Sequence, residues 1–185
     1  MTEPLVLPAT AADRDRAVDT IVAAFAADPA FRYFFPDPAT FDAQARVFAG
    51  HLFDRRVVRD SVWVAGGGGA VALWERPGPG GDGRPDLPRD TLDRLAAFDR
   101  AVHAALPGTP HWYLGVLATH PRHAGQRWGR EVMAPGLAAA AAEGLPAYLE
   151  TATSINVAMY RRAGFEVTDE LSAAGLPVWV MVRRP

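Results

Sequence analysis

The chain has 185 residues, long enough and, at 49% hydrophobic, apolar enough to bury a core as one domain over residues 1–185. It has no cysteine and no lysine, so all 19 basic residues are arginine; this excludes disulfides, thiolate metal sites, a cysteine nucleophile, a Schiff-base lysine and a phosphate-loop lysine. A net charge of −2 and a pI near 6.2 argue against a nucleic-acid surface. Residues 1–10 lack a signal-peptide layout, and no apolar run approaches the roughly 18 residues of a membrane span, so a soluble cytoplasmic protein without membrane contact is expected.

The chain opens with a short strand at 5–7 and a helix at 12–27, where Val18, Ile21, Val22 and Phe25 recur on one face. Asp28 and Pro29 close that helix. An aromatic cluster follows, Phe31, Tyr33, Phe34 and Phe35, and then a helix at 41–58 with Phe41, Ala45, Phe48 and Leu52 on one side. The period next changes to two. Runs at 62–64 and 71–74 flank Gly66, Gly67, Gly68 and Gly69 and read as a hairpin. Those glycines form a turn rather than a phosphate cradle, because a strand and not a helix follows them.

Residues 76–89 are a Pro/Gly-rich loop, read as a surface insertion or a lid. A helix at 91–106 turns Leu92, Leu95, Phe98 and Val102 inward and stops at Pro107 and Gly108. The remainder alternates: strand 111–119, helix 127–143, strand 147–151, helix 155–163, strand 165–171 and strand 178–182. A hairpin followed by strand–helix alternation implies an α/β fold with a mixed sheet.

The chemistry concentrates after the strand ending at Thr119. The stretch His120-Pro121-Arg122-His123-Ala124-Gly125-Gln126-Arg127-Trp128-Gly129 opens a long Ala-rich helix. A glycine-containing turn at a helix start offers free backbone N–H groups and a partial positive charge, which suits a pyrophosphate. The G-x-G-x-x-G spacing of dinucleotide folds is absent. Further on, Leu149-Glu150-Thr151 ends a strand, and Asn156, Tyr160, Gly164 and Phe165 follow as N-x-x-x-Y-x-x-x-G-F.

In order, spacing and residue type this arrangement resembles the GCN5-related N-acetyltransferase (GNAT) superfamily, and within it most resembles the puromycin N-acetyltransferase-like group. The stretches 23–26, 62–65, 70–72 and 149–151 and the closing Val178-Trp179 carry the latter likeness. The resemblance implies a GNAT acyltransferase fold with splayed central strands and acetyl transfer from acetyl-coenzyme A to an amine, without a metal. Leu117, Ala118 and Thr119 would meet the pantetheine arm. Ala124, Gly125, Gln126, Arg127, Trp128, Gly129 and Arg130 would hold the pyrophosphate. Asn156 would lie beside the pantetheine, and Tyr160, one turn later on the same helix face, would protonate the departing thiolate. Glu150 is read either as the group that takes the ammonium proton or as a structural hydrogen-bond acceptor.

The family's Q/R-x-x-G-x-G/A loop is altered here, with Ala124 in place of Gln or Arg and Arg127 in place of the central Gly. Arg127 either obstructs the loop or supplies a guanidinium to phosphate. Pro135, inside the following helix, is expected to kink it. His111, His120 and His123 match no metal-ligand spacing. Phe31, Tyr33, Phe34, Trp74 and Trp112 are candidates for an acceptor pocket, with core packing as the other reading. The expected activity is N-acetylation of a small-molecule or peptide amine in a ternary complex. The alternative is an acyl-CoA-binding or regulatory module with a degenerate loop. Monomer and homodimer are both compatible with the sequence.

Overall fold

The computed structural model describes residues 4–78 and 83–185, so part of the loop read as a lid lies outside the described residues. Chain order is β1 (Val6–Pro8), α1 (Arg14–Phe25), α2 (Pro29–Phe34), α3 (Phe41–Val57), β2 (Val62–Ala65), β3 (Ala70–Glu75), α4 (Arg89–His103), β4 (Trp112–Thr119), α5 (Trp128–Ala142), β5 (Ala147–Thr151), α6 (Ser154–Arg162), β6 (Glu166–Ala173) and β7 (Leu176–Arg183). The strands form a seven-stranded sheet in the order β1-β2-β3-β4-β5-β7-β6. Every neighbouring pair is antiparallel except β4 and β5, which run parallel. The fold is therefore mixed α/β, as expected.

One helix was not anticipated. Asp28 and Pro29 do more than close α1, because they also open α2: Asp28 Oδ1 accepts from the amides of Ala30 (2.9 Å) and Phe31 (3.1 Å), and Pro29 occupies the first turn. Asp at the cap and Pro just inside are standard start signals. A six-residue helix is too short to show a period, so the aromatic cluster concealed it.

The sheet carries a core on each face. On one side α1, α2, α3 and α4 cover Val62, Val64, Val71 and Leu73. On the other, α5 and α6 cover Ala72, Trp74, Trp112, Leu114 and Leu149. Helix α5 runs unbroken through Pro135. The adjacent Gly136 lets it sit close on the sheet, since a Cβ there would lie 2.3 Å from the Trp74 ring.

Strand β4 decides the position of the site. It pairs with β5 only at Trp112↔Ala147, Tyr113↔Tyr148 and Leu114↔Leu149, and from there to Thr119 it keeps β3 as its only sheet neighbour among the described residues. The central strands thus splay beyond Leu114. At the same point β3 shifts register: Leu73 pairs with Val116 and Trp74 with Leu114, which leaves Gly115 as an extra residue. Such a bulge bends its strand and re-aims side chains. Trp112 and Leu114 face the α5 core, whereas Val116 and Ala118 face the α1 to α4 core.

Candidate active site

A cavity of about 640 Å³ lies at the divergence of β4 and β5. Its wall on the α1 to α4 side carries Phe25, Phe31, Phe34, Phe48 and Phe98, drawn from four helices. The sheet contributes Tyr113, Gly115 and Glu150, and the lining continues to Asn156 and Tyr160 of α6. Residues belonging to both faces of the sheet thereby share one space. Only a gap between strands permits that, because an intact ladder separates its two faces.

Glu150 and Tyr113 sit together by register. Tyr113 pairs with Tyr148, and Glu150 lies two residues beyond on the same face, within diagonal reach. The Tyr113 hydroxyl donates to Glu150 Oε2. Burial pushes the Glu150 carboxyl up to about 7, opposed by that hydrogen bond and by the charge of His103. Tyr113 is driven upward in turn, by burial and then by the neighbouring carboxylate. A carboxyl that titrates near neutrality can accept a proton at ordinary pH and release it again.

Gly115 clears the space next to this pair. A Cβ there would meet an Arg56 guanidinium nitrogen at 3.0 Å. That guanidinium is almost fully buried, donates to the Leu52 carbonyl (3.1 Å) and lies 3.5 Å from Glu75. On α4, His103 contacts Asp99 at 3.0 Å and is pushed up to about 9, chiefly by that hydrogen bond.

Tyr160 is 7% exposed and packs edge-on against Phe165, with ring centroids 5.8 Å apart. Burial, reinforced by the Glu150 charge, holds its hydroxyl protonated well above the ordinary phenol range. Asn156 sits one turn before it and donates from Nδ2 to Thr151 Oγ1 (3.2 Å), tying the start of α6 to the end of β5.

The loop between β4 and α5 is exposed over Ala124, Gly125, Gln126 and Arg127. Arg127 precedes α5 with φ +63°, the left-handed conformation that glycine adopts freely. Among the described residues no side chain caps the first turn of α5, which leaves the leading amides of Trp128 and Gly129 without a cap there. Gly129 lies against β4, where a Cβ would stand 3.3 Å from Thr119 Oγ1. Trp128 stacks on His123 at 3.9 Å and presses on the β2–β3 turn; a Cβ at Gly66 would lie 2.4 Å from its ring. The four glycines thus form a turn, as expected, and two of them, Gly66 and Gly69, also seat Trp128.

Several expected residues fall elsewhere. Trp74 and Trp112 do not line the cavity: both are fully buried under α5, and the Trp112 indole donates to Glu143 (3.0 Å). Strand parity sends them to the opposite face. Tyr33 packs on Phe34 and does not line the cavity. Ala118 has its side chain in the α1 to α4 core, leaving only its backbone for a ligand. Phe31 and Phe34 do line the cavity, as do Leu117, Asn156, Glu150 and Tyr160. Tyr113 and Arg56 were not foreseen. The only signal for Tyr113 was strand parity, which carries no information without the register of β4 against β5, and Arg56 lies on α3, whose packing against the sheet is set by the tertiary fold.

The histidines after Gly108 are otherwise engaged. His111 bonds the Thr109 carbonyl, His120 Nδ1 accepts from the Arg122 amide and His123 stacks on Trp128. No helix among the described residues is long and apolar enough to cross a membrane.

Residues 27–165 match the model of the Acetyltransferase (GNAT) family. The fold is shared with a solved protein from Corynebacterium glutamicum described as histone acetyltransferase HPA2 and related acetyltransferase. That protein is 28% identical, with 100% of this chain and 97% of that one covered at a TM-score of 0.75. The PaiA N-acetyltransferase of Thermoplasma acidophilum, solved with coenzyme A, aligns over 100% of both chains at 9% identity and a TM-score of 0.64. Arylalkylamine N-acetyltransferase 2 of Aedes aegypti aligns over 99% of both chains at 10% identity and a TM-score of 0.67. At such identities the last two establish likeness of fold alone.

Proposed function

The chain belongs to the acetyltransferase (GNAT) family, and we propose that it is an acetyl-CoA-dependent N-acetyltransferase that acetylates the primary amine of a small molecule or peptide. The observation that carries this reading is the single cavity joining Glu150, which titrates near neutrality, to Tyr160, which stays protonated, through the gap between β4 and β5. One group suited to take a proton and another suited to give one are what direct acyl transfer to an amine requires.

Acetyl-CoA, as co-substrate, supplies the activated acetyl group, and the residues present fit it. The gap beyond Leu114 leaves the backbone of Leu117 and Thr119 free of a β5 partner for the pantetheine arm. The uncapped start of α5, approached by Arg127 and Arg130, suits the pyrophosphate. Arg127 adopts the left-handed conformation although it is not glycine, so the altered motif keeps its turn. A kept turn supports coenzyme A binding, which the transferase and the binding module share; turnover of an amine separates them. Asn156 borders the arm.

In this scheme Glu150 accepts the ammonium proton, directly or through a water, and Tyr113 orients the carboxylate that does so. A strand N–H stabilises the oxyanion as the amine attacks the thioester carbonyl. Tyr160 then gives its proton to the departing sulfur. With no cysteine in the chain, an acyl-cysteine relay is excluded and transfer is direct. We place the chain nearest the puromycin N-acetyltransferase-like group on the stretches 62–65, 149–151 and Val178-Trp179, as a single cytoplasmic domain.

Tyr160→Phe tests the assignment. Thiol release should show kcat at least about tenfold lower with acetyl-CoA affinity nearly unchanged. An unaltered kcat would overturn the role of Tyr160. Failure of acetyl-CoA to bind in calorimetry would overturn the reading as a whole.

A further inference from the structure

We infer that the acceptor is a monoamine with an aryl-sized apolar body, and that polycationic amines are poor substrates. This deepens the transferase reading and rests on it. The argument comes from the charges that already occupy the cavity wall and from what remains to meet a cation.

Among the described residues, the carboxylates lining the cavity are Asp28, Glu75, Asp93, Asp99 and Glu150. Glu75 lies 3.7 Å from Arg55 and 3.5 Å from Arg56. Asp93 is held by Arg89 at 3.0 Å, and Asp99 by His103 at 3.0 Å. Asp28 is committed to the amides of Ala30 and Phe31 at the positive end of α2. Glu150 differs from all of these. Its side-chain partner is the neutral Tyr113 hydroxyl, and among the described residues it makes no ion pair. Among the described lining carboxylates, Glu150 is thus the one left to pair with an incoming ammonium, and it stands beside the gap.

The cations on the wall point the same way. Arg84 and Arg100 line the cavity without a carboxylate partner among the described residues, and His103, pushed up to about 9, adds positive charge at neutral pH. A second or third ammonium on the acceptor would enter beside these cations and lose hydration without gaining a counter-ion. An apolar body meets the reverse situation. Phe31, Phe34 and Phe98 are almost fully buried around the cavity, and the Phe34 and Phe98 rings meet edge to face at 5.1 Å. Aromatic walls of this kind favour a flat apolar guest through area and edge-to-face contact.

The test measures kcat/KM by thiol release with acetyl-CoA, using 2-phenylethylamine, tryptamine and 4-phenylbutylamine against spermidine and an aminoglycoside. The aryl monoamines should exceed both polycations by at least about tenfold. Phe98→Leu, and separately Phe48→Leu, should raise KM for the monoamines at least about threefold while KM for acetyl-CoA is unchanged. Each variant's thermal unfolding is recorded, so that a loss of fold is not mistaken for a loss of contact. Polycations turned over as well as the monoamines, with acetyl-CoA bound normally, would overturn the acceptor proposal and leave the transferase reading standing. Binding of acetyl-CoA with no turnover of any amine would overturn both.

Discussion

Replacing Tyr113 by Phe isolates one hydrogen bond on which the proposed chemistry depends. The ring remains, so packing in the wall is kept, and only the donor to Glu150 Oε2 is lost. A hydrogen bond to a charged acceptor contributes about 1.5 to 3 kcal/mol, and about 1.4 kcal/mol corresponds to one pH unit. Removing the donor disfavours the carboxylate, so the midpoint should rise from about 7 by about one to two pH units. The groups facing Glu150 from neighbouring elements remain in place: Arg56 on α3, Asp99 and His103 on α4, and Tyr160 on α6.

The sign follows from the role. A base must be deprotonated to act, so kcat/KM falls on the acid side as Glu150 gains its proton. The wild-type acid limb should have its midpoint near 7, and the Tyr113→Phe limb should lie higher, while activity on the alkaline plateau changes less. The assay is thiol release from about pH 5 to about pH 10, with an acceptor whose own amine titrates outside the limb. Glu150→Gln provides the control, since it should lose activity throughout and with it the limb. An acid limb unmoved or shifted downward in Tyr113→Phe, with acetyl-CoA KM intact, would refute the reasoning. The Glu150–Tyr113 contact would then be structural and the base would be another group.

Two further substitutions test the scaffold. Arg127→Gly should relieve the left-handed strain at φ +63° and raise stability by about 1 kcal/mol. It should also weaken acetyl-CoA binding if the guanidinium meets the pyrophosphate; thermal unfolding reads the first effect and calorimetry the second, and tighter binding would mark Arg127 as an obstruction. Gly136→Ala would place a Cβ 2.3 Å from the Trp74 ring in a full core. The expected cost is about 2 to 3 kcal/mol, read as a lower midpoint in urea, and an unchanged midpoint would show that α5 can move off the sheet.

The elements were legible in the sequence because each depends on local chemistry. Hydrophobic spacing placed α1, α3 and α4, alternation placed β2 and β3, and glycine and proline marked their ends. Tyr160 and Asn156 were legible for the same reason, since residues four apart on one helix share a face. Helix α2 was not, although Asp28-Pro29 announces a helix start as well as a stop.

Tertiary structure decided the rest. Strand β4 reads as a clean alternation of buried and half-buried residues, yet the bulge at Gly115 moves Val116 to the face opposite Leu114. Trp74 and Trp112 lie in the core under α5, whereas Tyr113, their neighbour in the alternation, lines the cavity. Pairing Tyr113 with Glu150 required the register of two parallel strands distant in sequence. Register is fixed by the helices that cover each face and by where the ladder breaks, not by the residues of either strand alone. The opening composition holds the same division. An absence of cysteine and lysine excluded whole classes of chemistry from the sequence by itself, because a missing functional group cannot be restored by folding. Arg89–Asp93 and His103–Asp99 are i,i+4 pairs that the sequence of α4 already sets, whereas the pairing of Glu75 with Arg55 and Arg56 and of Glu150 with Tyr113 came only from the fold.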